Sequence, residues 1–184
     1  MREFFHILAL PALFAVVSCS MAESFDYEAR ADYVATNDMI SSSGGGVVKD
    51  SGFKAFCIEN YDADGDGSVT AEEVAGVTDI DCSGRSIRSL DGISSFKALE
   101  TLVCDNNSLT SIDFSKMPQT LRSLSCKGNL IRELNLCDFP LQFLRCNPMN
   151  DASGQNVLQF IYVRQGHIFN VLDIPDDTYV IELP

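Results

Sequence analysis

Between residues 77 and 146 apolar side chains return in one frame, Leu-x-x-Leu-x-Cys. The clearest copies are Leu99-Glu-Thr-Leu102-Val-Cys104 and Leu121-Arg-Ser-Leu124-Ser-Cys126. An earlier copy runs from Val77 through Ile80 to Cys82, and a later one from Leu141 through Leu144 to Cys146. Their starts lie 22, 22 and 20 residues apart. Leu158-Gln-Phe-Ile161-Tyr-Val163 reads as a degenerate last copy. A period this short predicts a solenoid with one short strand per turn, each turn burying its apolar face against the next.

The copies continue past the cysteine as x-x-Asn-x-Leu-x-x-Leu, with Asn107 and Asn129 in the inner copies and Arg85 and Met149 in the outer ones. An amide there satisfies backbone groups where the chain turns off the strand. This resembles the leucine-rich repeat pattern, and the expected class is an α/β solenoid of about 4–5 repeats over residues 77–156. Both ends of such a stack need covering. Phe53, Phe56, Cys57 and Tyr61 recur at helical spacing, so residues 52–76 read as a helix and loop at the N-terminal end. Residues 157–184 read as the last repeat and a β cap, with Pro175-Asp176-Asp177 as a turn before the Tyr179–Leu183 run.

The N-terminus carries an address. Residues 4–17 are almost wholly apolar and too short for a membrane-spanning helix. The run ends Val16-Val17-Ser18-Cys19, which resembles a bacterial lipobox and makes 1–18 a signal peptide and Cys19 the lipid attachment site. Cleavage after Ala22 is the alternative. Residues 19–51, closing in Ser-Ser-Ser-Gly-Gly-Gly, have the composition of a flexible tether.

Residues 62–73 carry the sharpest chemical motif, Asp-Ala-Asp-Gly-Asp-Gly-Ser-Val-Thr-Ala-Glu-Glu. It matches the EF-hand calcium loop. Asp62, Asp64 and Asp66 fill positions 1, 3 and 5. Ser68 offers its carbonyl, Thr70 a water-mediated contact, and Glu73 the closing carboxylate. Hard oxygens in this number favour Ca2+. The second helix of an EF-hand is barely a turn here, which favours a structural ion over a switch.

The chain holds 13 basic and 26 acidic side chains, a net charge of −13. Residues 20–79 hold 13 acidic and 3 basic groups, and residues 80–184 hold 12 and 9. The excess therefore sits in the tether and acidic loop. Such a balance argues against nucleic acid as a partner. Of seven cysteines, Cys82, Cys104, Cys126 and Cys146 share one repeat position and should form an inward column with a spacing of roughly 4.8 Å. A column suits neither tetrahedral zinc nor disulfide geometry, so free thiols acting as small hydrophobes are expected. The pattern assigns Cys57 and Cys137 no role.

On the concave face the side chains flanking each inward residue run Asp79 and Asp81, Thr101 and Val103, Ser123 and Ser125, Phe143 and Arg145, then Phe160 and Tyr162. Thr101 to Tyr162 form the expected partner-binding face. Aromatic and arginine side chains are enriched at binding hot spots. Packing of Phe143, Phe160 and Tyr162 under the C-terminal cap is an equal alternative. No nucleophile elbow, zinc-protease helix or phosphate loop occurs, so a binding protein is expected rather than an enzyme.

From Phe53 to about Leu136 the order of calcium loop and then repeats resembles leucine-rich repeat surface lipoproteins of Bacteroides-type bacteria. The resemblance implies a role in surface binding or adhesion; with the lipobox, the expectation is a monomer held to the outer membrane or cell surface by its lipid alone, which binds a protein or glycan. An accessory subunit of an envelope complex and a calcium-gated regulator are the alternatives.

Overall fold

A computed structural model describes residues 50–184. The signal peptide, Cys19 and nearly all of the tether lie outside the described residues. The architecture is a leucine-rich-repeat-like β-solenoid of five turns. Its element order is α1 (Ser51–Tyr61), β1 (Asp79–Asp81), β2 (Thr101–Val103), β3 (Ser123–Ser125), β4 (Glu133–Asn135), β5 (Phe143–Arg145), β6 (Phe160–Arg164), β7 (Val171–Asp173) and β8 (Tyr179–Leu183).

Two parallel sheets wrap one core. The first has the order β1-β2-β3-β5-β7 and the second β4-β6-β8. Ile80, Leu102, Leu124, Leu144 and Leu172 are register partners along the first sheet. Leu134, Ile161 and Val180 are partners along the second. Burying such side chains supplies about 1.5–3 kcal/mol each. The helical share is small. Besides α1, only short 3-10 turns at Ile93–Ser95 and Phe114–Lys116 occur among the described residues. A 22-residue period leaves no room for a full helix on the return leg of each turn, so the solenoid is β rather than α/β.

The repeat register needs one correction. Leu158-Gln-Phe-Ile161 does not begin a fifth rung of the first sheet. It is the second half of the fourth turn, equivalent to Ile131-Arg-Glu-Leu134, since Phe160 and Ile161 pair with Glu133 and Leu134. The offset from Cys126 to Cys146 is 20, but from Ile131 to Leu158 it is 27. The difference is an insertion at residues 150–156, closed by an Asn150–Asn156 bridge and by Asp151, which accepts from Ser153 and Gln155. The true fifth rung is Phe169-Asn-Val-Leu172-Asp-Ile174, with isoleucine in the cysteine position.

Helix α1 starts one residue before the expected segment. Asp50 caps it, accepting from the Gly52 and Phe53 N–H groups at 2.9 Å. Phe53, Phe56 and Cys57 face the core. The Phe53 and Tyr61 rings lie 6.1 and 5.7 Å from Phe96 of the first turn. Gly52 permits this approach, because a Cβ there would sit 3.0 Å from the Arg85 carbonyl. At the other end, the Tyr179–Leu183 run is a strand as expected. It pairs in parallel with β6 and so extends the stack instead of closing it.

Candidate functional site

Three constellations carry chemistry: the internal ladders, the acidic loop and the outer faces of the two sheets.

The ladders fix each strand's position. Main-chain N–H groups of Cys82, Cys104, Cys126 and Cys146 donate to Val103, Ser125, Arg145 and Asp173 of the following turn at 2.8–2.9 Å. Beside them, the Asn107 carbonyl oxygen accepts from Arg85 and Ile87 at 3.0 Å, while its amide donates to the Cys82 and Cys104 carbonyls. Asn129 repeats this one turn on, accepting from Leu109 and donating to Cys104 and Cys126. Each amide thus ties two turns together. The four column thiols and Cys57 are buried and reduced. Burial pushes the Cys57 and Cys82 thiols up to about 12, with the neighbouring Cys82 and Asp81 adding to the rise at Cys57 and Cys82 respectively. A hydrogen bond with Cys146, followed by burial, raises Cys126. Such thiols are poor nucleophiles.

In the acidic loop, carboxylate oxygens of Asp62, Asp64 and Asp66 lie within 4.8 Å of one another. The loop's own N–H groups hold them. Gly65 and Gly67 donate to the two Asp62 oxygens at 2.8 and 2.9 Å, and Ser68 donates to Asp66 at 2.7 Å. Gly65 and Gly67 have φ of 73° and 82°, which glycine adopts without strain. Glu73 stands apart from the aspartate cluster. Its oxygens accept from Ala63 at 2.8 Å and from the Thr70 N–H and hydroxyl at 2.7 and 2.9 Å. The Thr70 N–H, then the Ala63 N–H, holds the Glu73 carboxyl below its usual range. Among the described residues no lysine or arginine pairs with the three aspartates. Three converging, uncompensated hard oxygens fit a hard cation.

The face residues divide. Thr101, Val103, Ser123, Ser125, Phe143 and Arg145 do share the outer face of the first sheet. Phe160 and Tyr162 do not. They lie on the outer face of the second sheet, where Phe160 stacks on Tyr162 and Tyr179 at 6.2 and 6.1 Å. The places assigned to them belong to Val171 and Asp173. Sequence reasoning passed over those two because the fifth copy lacks the cysteine. Only the Phe169-x-x-Leu172-x-Ile174 spacing marks it.

Along this outer face Asp79 and Asp81 are exposed, held by the Thr78 and Ser83 hydroxyls. Ser125 is buried and donates to Asp105. Lys127 bridges to Asp173 at 3.6 Å. The side chain of the half-buried Arg145, beside Phe143, has no ion-pair or hydrogen-bond partner among the described residues.

No protein-family model matches the chain, and no curated protein matches it. Among solved structures it is similar to the functional domain of InlJ from Listeria monocytogenes, described as including a cysteine ladder. The two share 23% identity at a TM-score of 0.46 over 64% of this chain, and the chain spans 29% of that protein's length. No described helix is long and apolar enough to cross a membrane.

Proposed function

We propose that this is a lipid-anchored cell-surface protein, attached through Cys19, whose first sheet binds a protein or glycan partner. The observation that carries the reading is the pairing of Phe143 with an unpartnered Arg145 on rigid parallel rungs. An aromatic ring and a guanidinium already held half out of water lose little freedom on binding. Half-buried Thr101 and Ser123 continue the surface toward the exposed carboxylates of Asp79 and Asp81, with Ser125 buried beneath it against Asp105. The chain acts by binding and not as an enzyme. To test this, the chain and its Phe143→Ala/Arg145→Ala variant are compared on panels of immobilised extracellular proteins and glycans. Loss of a specific signal in the variant supports the reading. Signals unchanged by the double substitution count against it.

The acidic loop adds a structural Ca2+ ion. Asp62, Asp64 and Asp66 would hold it with the Ser68 carbonyl, Thr70 and Glu73. The ion would neutralise like charges that otherwise repel, and so steady the segment joining α1 to the first turn. Calorimetric titration with Ca2+, followed by melting with and without EGTA, tests the site. A melting temperature raised by Ca2+ in the native chain and not in Asp62→Ala supports it. Partner affinity that followed Ca2+ would instead make the ion a gate.

A further inference from the structure

We propose that the side of the solenoid carrying the second sheet binds a neutral oligosaccharide, with sugar rings laid on Phe160, Tyr162 and Tyr179 and the sugar chain continuing into a polar cavity at the first two turns. This surface is separate from the outer face of the first sheet and does not depend on the reading given for it.

The repeat frame places the parts in one row. Leu90, Ile112 and Leu134 recur at offsets of 22 and are buried, and Leu134 pairs onward with Ile161, which pairs with Val180. The residues on either side of that column therefore share one outer side. Toward the C-terminus this side is aromatic. Phe160 lies 6.2 Å from Tyr162 and 6.1 Å from Tyr179, with its plane within 29° of each, and Tyr179 is 53% exposed. Ile181 lies beside Tyr162. Polar groups border the rings, since Glu133 is the register partner of Phe160 and Asn135 that of Tyr162. The Glu133 carboxylate has no ion pair or hydrogen bond among the described residues. Asn135 accepts from the Cys137 N–H, which leaves its own amide N–H groups without a partner there. Burial, then the Glu133 charge, holds the Tyr162 hydroxyl above its ordinary pKa, so it stays a donor.

Toward the N-terminus the same side opens. The second sheet begins at β4, and among the described residues no ladder joins residues 88–91 to 110–113. A cavity of about 310 Å³ lies there. Arg88, Ser89 and Ser111 line it together with Asp91 and Asp113, which share Lys116 at 3.7 and 3.4 Å. Arg88 and the Ser111 hydroxyl have no side-chain partner among the described residues.

The chemistry selects the occupant. Arg88, Lys116 and Arg132 balance Asp91, Asp113 and Glu133, and Arg164 is paired with Asp138, although the chain as a whole carries −13. An acidic polymer or a basic peptide finds no matching field on this side, whereas a neutral ligand needs none. A pyranose ring has apolar C–H faces and hydroxyl edges. Aromatic rings held by strand register can take the faces at small entropic cost, and the carboxylate, amide and hydroxyl groups beside them can take the edges.

The test titrates the purified full chain, by calorimetry, with neutral hexasaccharides of glucose, mannose, xylose and N-acetylglucosamine. At least one should bind with a dissociation constant below about 1 mM. Tyr179→Ala, an exposed substitution, should weaken that binding about fivefold, and Tyr162→Ala combined with it should weaken it further. Melting checks that both variants fold. Tyr179→Phe, which keeps the ring, should stay within about twofold of the parent. Phe143→Ala/Arg145→Ala should bind the sugar as the parent does, so failure here and failure of the first-sheet reading are told apart. Four outcomes would each overturn the proposal. They are no binding of any hexasaccharide, equal binding by the tyrosine-to-alanine variants, loss in Phe143→Ala/Arg145→Ala instead, and tighter binding of polygalacturonate or polylysine that those tyrosine variants abolish.

Discussion

In turns two and three, Asn107 and Asn129 each clamp their own turn to the one before, cysteines fill the column, and the repeat offset is a strict 22. In turn four the asparagine position holds Met149 and residues 150–156 interrupt the turn, though its core stays fully buried; in turn five Ile174 replaces the cysteine, and Phe169, Leu172 and Val180 are half-buried. α1 brings Phe53, Phe56 and Cys57 onto the first turn, whereas β8 pairs only with β6 among the described residues. The same period is therefore held by two means: a buried amide ladder beside the apolar column toward the N-terminus, and apolar stacking with main-chain bonds and partly exposed side-chain bonds toward the C-terminus. Each turn of a solenoid is stabilised chiefly by its neighbours, so the two halves should differ in how much one substitution costs.

The largest effect is expected at the ladder. Asn129→Ala strips the partner from the Leu109 N–H and the Cys126 carbonyl, both in the interior, and leaves the Cys104 carbonyl to Asn107 alone. Each orphaned group costs about 1–3 kcal/mol, so a loss of roughly 2–5 kcal/mol should appear in urea unfolding. Met149→Leu at the equivalent place should cost less than about 1.5 kcal/mol. Similar losses at both sites would show that the amide ladder is not what distinguishes the halves.

A smaller contrast is expected in the leucine column. Leu124→Ala leaves a cavity between complete turns and should cost about 3 kcal/mol, while Leu172→Ala at the half-open fifth turn should cost about 1 kcal/mol. Hydrogen exchange sharpens the comparison. Amides of β7 and β8 should open at lower free energy than those of β2 and β3. Uniform protection would mean that the five turns unfold as one unit.

These two contrasts bear on what was legible from the sequence. The asparagines and the cysteine column were legible because each residue has one possible place in a 22-residue frame. The convergence of the acidic loop was equally plain, since alternate aspartates separated by Ala63 and Gly65 turn Asp62, Asp64 and Asp66 toward one another. The fifth rung was not legible, for a physical reason. Both halves of each turn bury the same shape, so Ile131-Arg-Glu-Leu134-Asn-Leu136 and Leu158-Gln-Phe-Ile161-Tyr-Val163 are spelled like a rung of the first sheet. Cysteine alone told the halves apart, and the last turn has none. This moved Phe160 and Tyr162 to the wrong sheet and hid Val171 and Asp173.

The thiol column gives a pH dependence that also separates the two ends. Cys57 and Cys82 are held protonated by burial, with thiol values raised from 9.0 to about 12. An acid whose native pKa is raised binds its proton more tightly folded than unfolded. Its contribution to stability is fully present below 9.0 and is lost as pH climbs through the folded value. Stability should therefore fall as pH rises from about 9 toward 12, and Cys57→Ala with Cys82→Ala should reduce that slope. Replacing Ile174 by valine at the far end should leave the slope unchanged. A slope that survives the double alanine variant assigns the alkaline loss to the buried Cys104 and Cys126 thiols, to tyrosine or to lysine instead.

The smallest change in stability is expected from the largest change in sequence. Deleting residues 150–156 would join Met149 directly to Val157 and restore the spacing of Asn129 to Leu130. The Val157 N–H already donates to the Met149 carbonyl at 2.8 Å, so the ends to be joined lie side by side. The segment's hydrogen bonds are mostly its own, through Asp151. What is lost outside the segment is the Asn156 amide's contact with Asp177 of the next turn and its exchange of hydrogen bonds with Leu158. Those are partly exposed bonds, worth about 1 kcal/mol together, against which a shorter loop recovers some closure entropy. The deleted chain should fold and melt within a few degrees of the parent, roughly the shift that 1 kcal/mol gives a domain of this size. If Leu158 instead began a rung of the first sheet, the same deletion would remove the return leg of the fourth turn and the chain would not fold. One melting curve thus decides between the two registers, and with them whether Val171 and Asp173 or Phe160 and Tyr162 complete the face that begins at Asp79.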